Sequence, residues 1–579
     1  MLLELGIHLK LLWKKLEMPT KKRILMCGEA SHKLSGFGTY SNEVLSRLVD
    51  TGKYEIAEFA TYGKIGDAAD ESVRWRYYPN EVHPKDPQYK LYKSRPVHQF
   101  GEWRFERVLL DFKPDIVWDI RDYWMLSYEG ASPLRKFFHW CIQPTVDSAP
   151  QKEDWIETYL EADSVFSWSD YGGEVLRKEG NGKIKYCGSA PSGVDIEKFC
   201  PPKSKQQHRR DMGFFDDVFI VGMVGRNQIR KLYPDLFHAF RIFCDKYANI
   251  DKELVKKTYL YVHLSYPDLG WPIPELIKEF GIGHKIICTY ICQKCQKPFC
   301  SFWQDAIAVC PHCNLPTGLL PTVGKGLTRE QLASVYKLFD LYIQYAICEG
   351  FGMPQVEAAA CGVPVMAVDY SAMADVVRKV SGTPLKVQRM FRELASMSYR
   401  ALPDNEYCAD AIYKFLSKPE SLKKRQGIKA RKAVEKYYTW EKTAKIWEDH
   451  FDSIELTGKQ GKWNSEPADV FQVPSSIPQG LTNSQFADWL VRDVIKRPEF
   501  INTFHTMKLV RDLNYGCILI NGKPQPISRE KIFKNYQVIA KNHNHCEHGR
   551  CGMIPLDQTD YIEYANLKDR AREHKEENK

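Results

Sequence analysis

Apolar runs of strand length recur along residues 21–450 in two series, most of them separated by stretches of helical periodicity. The first series opens with "KRILMC" at 22–27 and continues through "YEIAEFATYG", "PDIVWDI", "RKFFHWCIQP" and "ADSVFSWSD". The second opens with "DVFIVGMVGRN" at 217–227 and continues through "YLYVHLS", "HKIICTY", "LYIQYA" and "PVMAVDY". Parallel strands need a crossover between them, and a helix is the usual one, so this alternation predicts doubly wound α/β sheets. The join falls in the proline- and lysine-rich "CPPKSKQQHRRD" at 200–211, which separates a first domain at 21–205 from a second at 212–450. Residues 415–452 read as helical, with Trp440 and Trp447 on a packing face. Linker composition marks 457–480, and a smaller module with a highly charged end occupies 481–579. At the other end, Leu2, Leu5, Leu9 and Leu12 repeat at helical spacing, predicting a docked amphipathic helix over 1–20, with a membrane-surface helix as the alternative.

Composition narrows the class. Hydrophobic residues make up 44% and charged residues 27% of the chain, as in ordinary soluble proteins. A formal charge of +9 permits a polyanionic partner without demanding one. No run of 18 uncharged apolar residues suggests a membrane span. Glu4, Lys10, Lys14 and Lys15 interrupt the N-terminal apolar stretch, so no signal peptide is expected. The 17 cysteines are thinly spread except near 292–313, which predicts free or metal-bound thiols in a reducing compartment. The expected location is cytoplasmic, in host cytoplasm if the chain is virus-encoded.

Chemistry concentrates at "YAICEGFGMPQVEAAACGVPV", residues 345–365. Gly350 and Gly352 let backbone N–H groups approach a ligand, and Pro354 favours a helix start. Glu349 then projects from the end of the strand "LYIQYAIC", and Glu357 lies one turn into the helix. Both can face the region outside the strand ends where open α/β folds bind ligands. By itself such a corner also fits a plain crossover with a solvated glutamate.

Its neighbours give it meaning. The stretch continues as "EAAACGVPVMAVDYSAMADVV" and resembles the Glu-x7-Glu signature of retaining GT-B glycosyltransferases of family 4. "VGMVGRNQIRKLYPDLFHAF" is similar to that family's first donor-domain strand, with Arg226 and Lys231 at the diphosphate-holding pair. "YCGSAPSGVDIEKF" resembles the end of the acceptor domain through Pro191, Gly193, Val194, Asp195 and Phe199. "SGFGTYSNEVLSRL" resembles the N-terminal glycine loop, here Gly36 and Gly38, and its helix. The four motifs span about 430 of the 579 residues.

The resemblance implies two Rossmann-like domains facing a central cleft and a nucleoside-diphosphate-sugar donor, with UDP-glucose favoured. It implies that Arg226, Lys231 and the N–H groups of Gly350, Phe351, Gly352 and Met353 stabilise charge on the departing β-phosphate. In the same pattern Glu349 orients the sugar near its reacting carbon and Glu357 binds the ribose hydroxyls. The loop at Gly36-Phe37-Gly38 approaches the diphosphate or acceptor from the opposite domain. Retention by front-face attack is the expected mechanism, with the departing phosphate oxygen taking the acceptor proton. Where many members carry a histidine near the reacting sugar, this chain has Gln143 and Pro144, with His139 earlier and Asp147 in the loop beyond. Asp147 is the expected acceptor-side residue, and His139 is equally well an ordinary strand residue. A glycosidase is the chemical rival, but two carboxylates on one strand–helix corner do not easily straddle a glycosidic bond.

"CQKCQKPFCSFWQDAIAVCPHC" places Cys292-x2-Cys295 and Cys310-x2-Cys313 inside the second domain. Two such knuckles predict a closed four-thiolate Zn2+ site that folds a zinc-ribbon insertion over 288–316, with Cys300 as a packing residue. A second cluster, His543, His545, Cys546, His548 and Cys551, fits either a metal or a polar loop.

Three readings of the partner remain open. The ribbon, the positive charge and the basic–aromatic stretches "KSRPVHQFGEWRFER" (93–107) and "IRDYWM" (120–125) point to a hydroxymethylated base in DNA. A glycan or lipid-linked acceptor, with peripheral membrane contact, is the alternative. A silent GT-B binding scaffold is the third. The sequence leaves the oligomeric state open.

Overall fold

A computed structural model describes residues 21–64, 73–132, 134–214, 217–304, 307–456, 474–495, 503–520 and 523–544. The amphipathic segment 1–20, most of the linker and the stretch from His545 to Cys551 lie outside the described residues, as does the His543 side chain. The chain divides into two compact units: 1–144 with 157–165 and 450–579, and 145–156 with 166–449.

The first sheet contains β1 (Lys22–Glu29), β2 (Tyr54–Lys64), β3 (Arg76–Glu81), β4 (Ile116–Asp119), β5 (His139–Ile142), β6 (Ser164–Ser167) and β7 (Tyr186–Ser189). Their spatial order is β3-β2-β1-β4-β5-β6-β7, with β1 running parallel to both β2 and β4. Ile24 to Cys27 and Ile116 to Asp119 are buried, as expected of strands covered on both faces. The order reverses between β1 and β4.

In the second unit come β8 (Phe219–Val224), β9 (Thr258–His263), β10 (Ile286–Cys292), β11 (Pro298–Phe302), β12 (Ala308–Val309) and β13 (Pro316–Leu319). They are followed by β14 (Leu341–Gln344), β15 (Val365–Val368), β16 (Thr383–Leu385), β17 (Val387–Arg392) and β18 (Tyr399–Pro403). The parallel core runs β10-β9-β8-β14-β15-β16. Winding proceeds outward from β8 through β9 to β10 on one side, and from β14 through β15 to β16 on the other. A switch point therefore lies between β8 and β14, where ligands bind in open α/β sheets. Arg226 follows one of these strands and Glu349 the other.

Two additions decorate this core. β11 and β13 pair antiparallel with β10, and β12 extends β13, so the cysteine-rich insertion is an antiparallel edge on a parallel sheet. β17 and β18 form a separate antiparallel hairpin. Beyond them, helices Glu420–Tyr437 and Trp440–Ser453 carry the packing face legible in the sequence. Trp440 and Trp447 are fully buried, and the Trp447 ring lies 4.5 Å from that of Phe166. The C-terminal module has its own small core of Phe486, Leu490, Val494, Ile532, Phe533 and Tyr536.

The burial of Trp447 predicts a large truncation cost. Trp447→Ala is expected to lower stability by about 3–5 kcal/mol in urea unfolding. Trp124 is half exposed, and Trp124→Ala is expected to stay within about 0.5 kcal/mol of the parent chain.

Candidate functional site

Gly352 starts the corner at β14. Its φ of +89° lies in the left-handed region, which strains other residues, and it precedes helix Met353–Ala360 with Pro354 in the first turn. Gly350 is constrained differently, since an added Cβ would stand 2.5 Å from Thr145 Cγ2. The turn thus keeps backbone close to neighbouring atoms on both sides of Phe351. That ring is itself buried and packs edge-on against Tyr438.

Glu349 is buried and its carboxylate is fully engaged. Oε2 accepts from Arg230 Nη1 at 2.7 Å, and Oε1 accepts from Lys231 Nζ and from Gln344 Nε2 at 2.9 Å. Its backbone N–H donates to Ser371 Oγ at 3.0 Å. Burial would raise the carboxyl pKa, but Arg230 and Lys231 outweigh burial and hold it at about 2. Burial lowers the Lys231 pKa against the pull of Glu349.

The second carboxylate is also occupied. Glu357, in the same helix, accepts from Tyr336 Oη at 2.8 Å and pairs with Arg329 at 2.8 Å. Arg226 stands apart from this pairing. Its guanidinium makes a bidentate pair with Asp268, Nε to Oδ2 at 2.8 Å and Nη2 to Oδ1 at 3.0 Å, while the side chain stays 46% exposed. The cations on Glu349 are therefore Lys231 and Arg230, not Arg226. Arg230 carried a signal in the sequence only as an extra basic residue beside Lys231. Asp268, Arg329, Tyr336 and Gln344 carried none.

Asp147 belongs to the same unit and is held from two directions. Oδ1 accepts from Arg400 Nη1 at 2.8 Å, and Oδ2 accepts from Cys348 Sγ at 3.1 Å. Arg400 in turn binds Glu393 at 2.8 Å, tying the β17–β18 hairpin to this loop. His139 is the first residue of β5 and shares a hydrogen bond with Ser164 Oγ at 2.7 Å.

In the first unit, Gly36 and Gly38 open helix Gly36–Asp50, where Ser35 Oγ accepts from the Gly38 N–H at 3.0 Å. The basic stretches expected to meet phosphates are partly internal. Arg104 is buried against Pro79 O and Gln88, and Arg121 is buried on Asp119 and Glu129. Guanidiniums buried this deeply cannot reach a phosphate on the surface. Lys93, Arg95 and the half-exposed Trp124 remain outside.

The cysteine prediction gathers in space. The Sγ atoms of Cys292, Cys295, Cys310 and Cys313 all lie within 4.8 Å of one another, and the Cys292–Cys313 and Cys295–Cys310 separations are 3.7 Å. The edge of a tetrahedron with Zn–S bonds of about 2.3 Å is about 3.8 Å, so the four thiols fit that ion. Cys300 points elsewhere, to the Tyr261 hydroxyl at 2.9 Å. The described cysteines form no disulfides, and no described helix is long and apolar enough to cross a membrane.

A family model described as "Glycosyl transferases group 1" matches residues 322–432, which contain both glutamates and the glycine turn. Two proteins named D-inositol 3-phosphate glycosyltransferase are similar in sequence. That of Streptomyces bingchenggensis is 24% identical over 186 residues, 32% of this chain and 33% of the relative. That of Geodermatophilus obscurus is 26% identical over 195 residues, 33% of this chain and 35% of the relative. The chain thus spans about a third of the length of these curated relatives. Sucrose-phosphate synthase from Thermosynechococcus elongatus superposes with a TM-score of 0.55 at 17% identity, covering 75% of this chain and 100% of that one. Anabaena Alr3699/HepE, solved with UDP and glucose, superposes at 0.51 and 13% identity, covering 75% and 100%. The fold is that of the GT-B glycosyltransferases.

The buried ion cluster predicts how the site responds to mutation and acid. Glu349→Gln leaves buried Lys231 without its counter-charge and is expected to cost about 3–5 kcal/mol in urea unfolding at neutral pH. The folded carboxyl titrates at about 2 against an ordinary 4.5, so its contribution is complete above pH 4.5 and is lost as pH falls towards 2. Unfolding curves across that window are expected to show the gap between parent and variant closing with acid.

Proposed function

We propose that the protein is a retaining hexosyltransferase that takes its sugar from a nucleoside-diphosphate sugar, with UDP-glucose the first donor to try. One observation carries this reading: an ionised, buried carboxylate held by Lys231 and Arg230 at the switch point, next to the glycine turn Gly350–Met353 that starts a helix. A leaving diphosphate builds negative charge on its β-phosphate. Fixed cations and N–H groups at the strand ends stabilise that charge without reorganising. Glu349 then orients the sugar, and Glu357 with Arg329 and Tyr336 forms a rigid polar end suited to ribose hydroxyls. Arg226, paired with Asp268 and 46% exposed, supplies a further cation. The four clustered cysteines hold a structural Zn2+. A silent scaffold is disfavoured because the charged set is present and internally satisfied.

The acceptor is read as a polyol or glycan hydroxyl. The relatives are named for D-inositol 3-phosphate, and burial of Arg104 and Arg121 removes two phosphate contacts from the DNA alternative. Hydroxymethylated DNA remains the second reading, resting on Lys93, Arg95, Trp124 and the cysteine module.

The test incubates the full chain with labelled UDP- and GDP-hexoses. Acceptors are inositol phosphate, a membrane glycolipid extract, and duplex DNA with and without hydroxymethylated pyrimidines. Donor cleavage dependent on a carbohydrate or lipid acceptor, with the anomeric configuration retained by NMR, is the expected result. Label on hydroxymethylated DNA alone would reverse the order of the two acceptor readings. No cleavage of any donor with any acceptor would favour the scaffold. Lys231→Met is expected to lower kcat/KM about 100- to 1000-fold by removing charge stabilisation at the leaving group.

A further inference from the structure

The zinc module has an unusual address. It grows from β10 at the carboxyl end of the parallel core, on the side of the sheet where Arg226 and Glu349 emerge. Its two Cys-x2-Cys loops share one backbone form. Gln296 N–H donates to Cys292 O at 3.0 Å and Asn314 N–H to Cys310 O at 2.8 Å, and both Gln296 and Asn314 have left-handed φ values of 59° and 53°. The Cys295 N–H also donates to Cys292 Sγ at 3.3 Å. Two matching turns that aim four sulphurs at one point are a metal-binding arrangement, and beyond its root strand β10 the module buries little apolar surface apart from Phe299 and Ala308.

From the metal ligands a short bonded path reaches the proposed phosphate cations. Thr317 Oγ1 lies 3.0 Å from Cys292 Sγ, and Thr317 O accepts from Gln293 N–H at 2.8 Å. β13 then leads to Pro321, whose carbonyl accepts from Tyr266 N–H at 2.8 Å. Tyr266 opens the loop that grips residues 226–231 at several points. Ser265 Oγ donates to Asp268 Oδ2 at 2.5 Å and accepts from Asn227 N–H at 3.3 Å. Asp268 holds Arg226, Trp271 N–H donates to Asn227 Oδ1 at 2.9 Å, and Trp271 Nε1 donates to Lys231 O at 2.8 Å. The Asp268 side chain is 2% exposed, so its carboxylate serves the protein, while the Arg226 side chain it holds stays 46% exposed.

We infer that the zinc-bound cysteine module is a brace for the 265–271 loop, and that through Asp268 and Trp271 it fixes Arg226 and Lys231 in position for a nucleoside diphosphate. Asp268 is a positioning residue in this arrangement. The inference rests on the proposed donor reading for its ligand, but not for the mechanical link between metal and loop.

The experiment uses the full chain from zinc-supplemented culture, before and after zinc stripping by a thiol-modifying reagent and chelator, followed by thiol release and zinc return. Metal content, amide exchange at 264–271 and UDP binding by calorimetry are read on each sample. One zinc per chain is expected. Stripping should speed exchange at Tyr266 and weaken UDP binding by about tenfold or more, as loss of a charge-assisted contact would. Returned zinc should restore both. Asp268→Asn should keep its zinc and weaken UDP binding similarly; should the stripped chain fail to stay folded, this variant still decides the link to Arg226. A chain isolated without zinc overturns the inference. So does a folded, stripped chain whose Tyr266 exchange and UDP affinity match the zinc-bound form, or an Asp268→Asn chain with parental affinity. If the parent binds neither UDP nor GDP, the donor reading fails while the exchange measurement still accepts or rejects the brace.

Discussion

The second unit is organised around a carboxylate in a place that would normally neutralise it. Glu349 is buried, and burial by itself favours the protonated acid. Arg230 and Lys231 reverse that preference, and Gln344 and Ser371 supply the hydrogen bonds that fix its geometry. The interaction joins three separate pieces of chain: the loop after β8, the end of β14, and the start of the helix after β15. Lys231, the buried cation of the two, could not stay buried without the glutamate, since an uncompensated internal charge costs several kcal/mol. An entering diphosphate would compete with Glu349 for the same cations. As they shift towards phosphate, the carboxylate gains free lone pairs to accept from sugar hydroxyls, so one ion cluster serves both the empty and the loaded site under the proposed function.

The parallel sheets were legible because strands covered on both faces must be apolar along their whole length. "KRILMC" and "FIVGMV" leave no other assignment once helices alternate with them. The corner holding Glu349 and Glu357 was legible for a related reason. Glycine–x–glycine before a helix-starting proline marks where the helix begins, at Met353, whereas β14 ends at Gln344, short of the strand expected through Cys348. What the sequence concealed is pairing across long separations. Arg230 meets Glu349 from 119 residues away. Arg209 meets Asp340 from 131 residues away. Local spacing carries no record of such partners.

The same limit explains the arginines of the first unit. Arg121 sits in an aromatic, polar stretch that suggests a surface for phosphates. Its guanidinium instead satisfies Asp119, Glu129, Thr61 and the Phe100 carbonyl inside the fold. An arginine is buried only where several acceptors converge on it, and here they come from four segments. Composition registers the charge and misses the convergence. The β17–β18 hairpin was invisible for a different reason: its exposed Met390, Leu394 and Met397 mix with Arg389 and Arg392, and so show no clean alternation.

That hairpin bears on what Asp147 can do. A general base needs a carboxylate free to take a proton, yet both Asp147 oxygens already accept hydrogen bonds, one from Arg400 and one from Cys348. Arg400 is itself fixed by Glu393 from the same hairpin. An aspartate so held suits orientation and local charge better than proton abstraction. In front-face retention the proton leaves with the departing phosphate oxygen, so an acceptor-side base is not required. Under the proposed function that chemistry and the occupied carboxylate agree: Asp147, held by Arg400 and Cys348, would shape its loop, and leaving-group stabilisation would fall to the cations around Glu349.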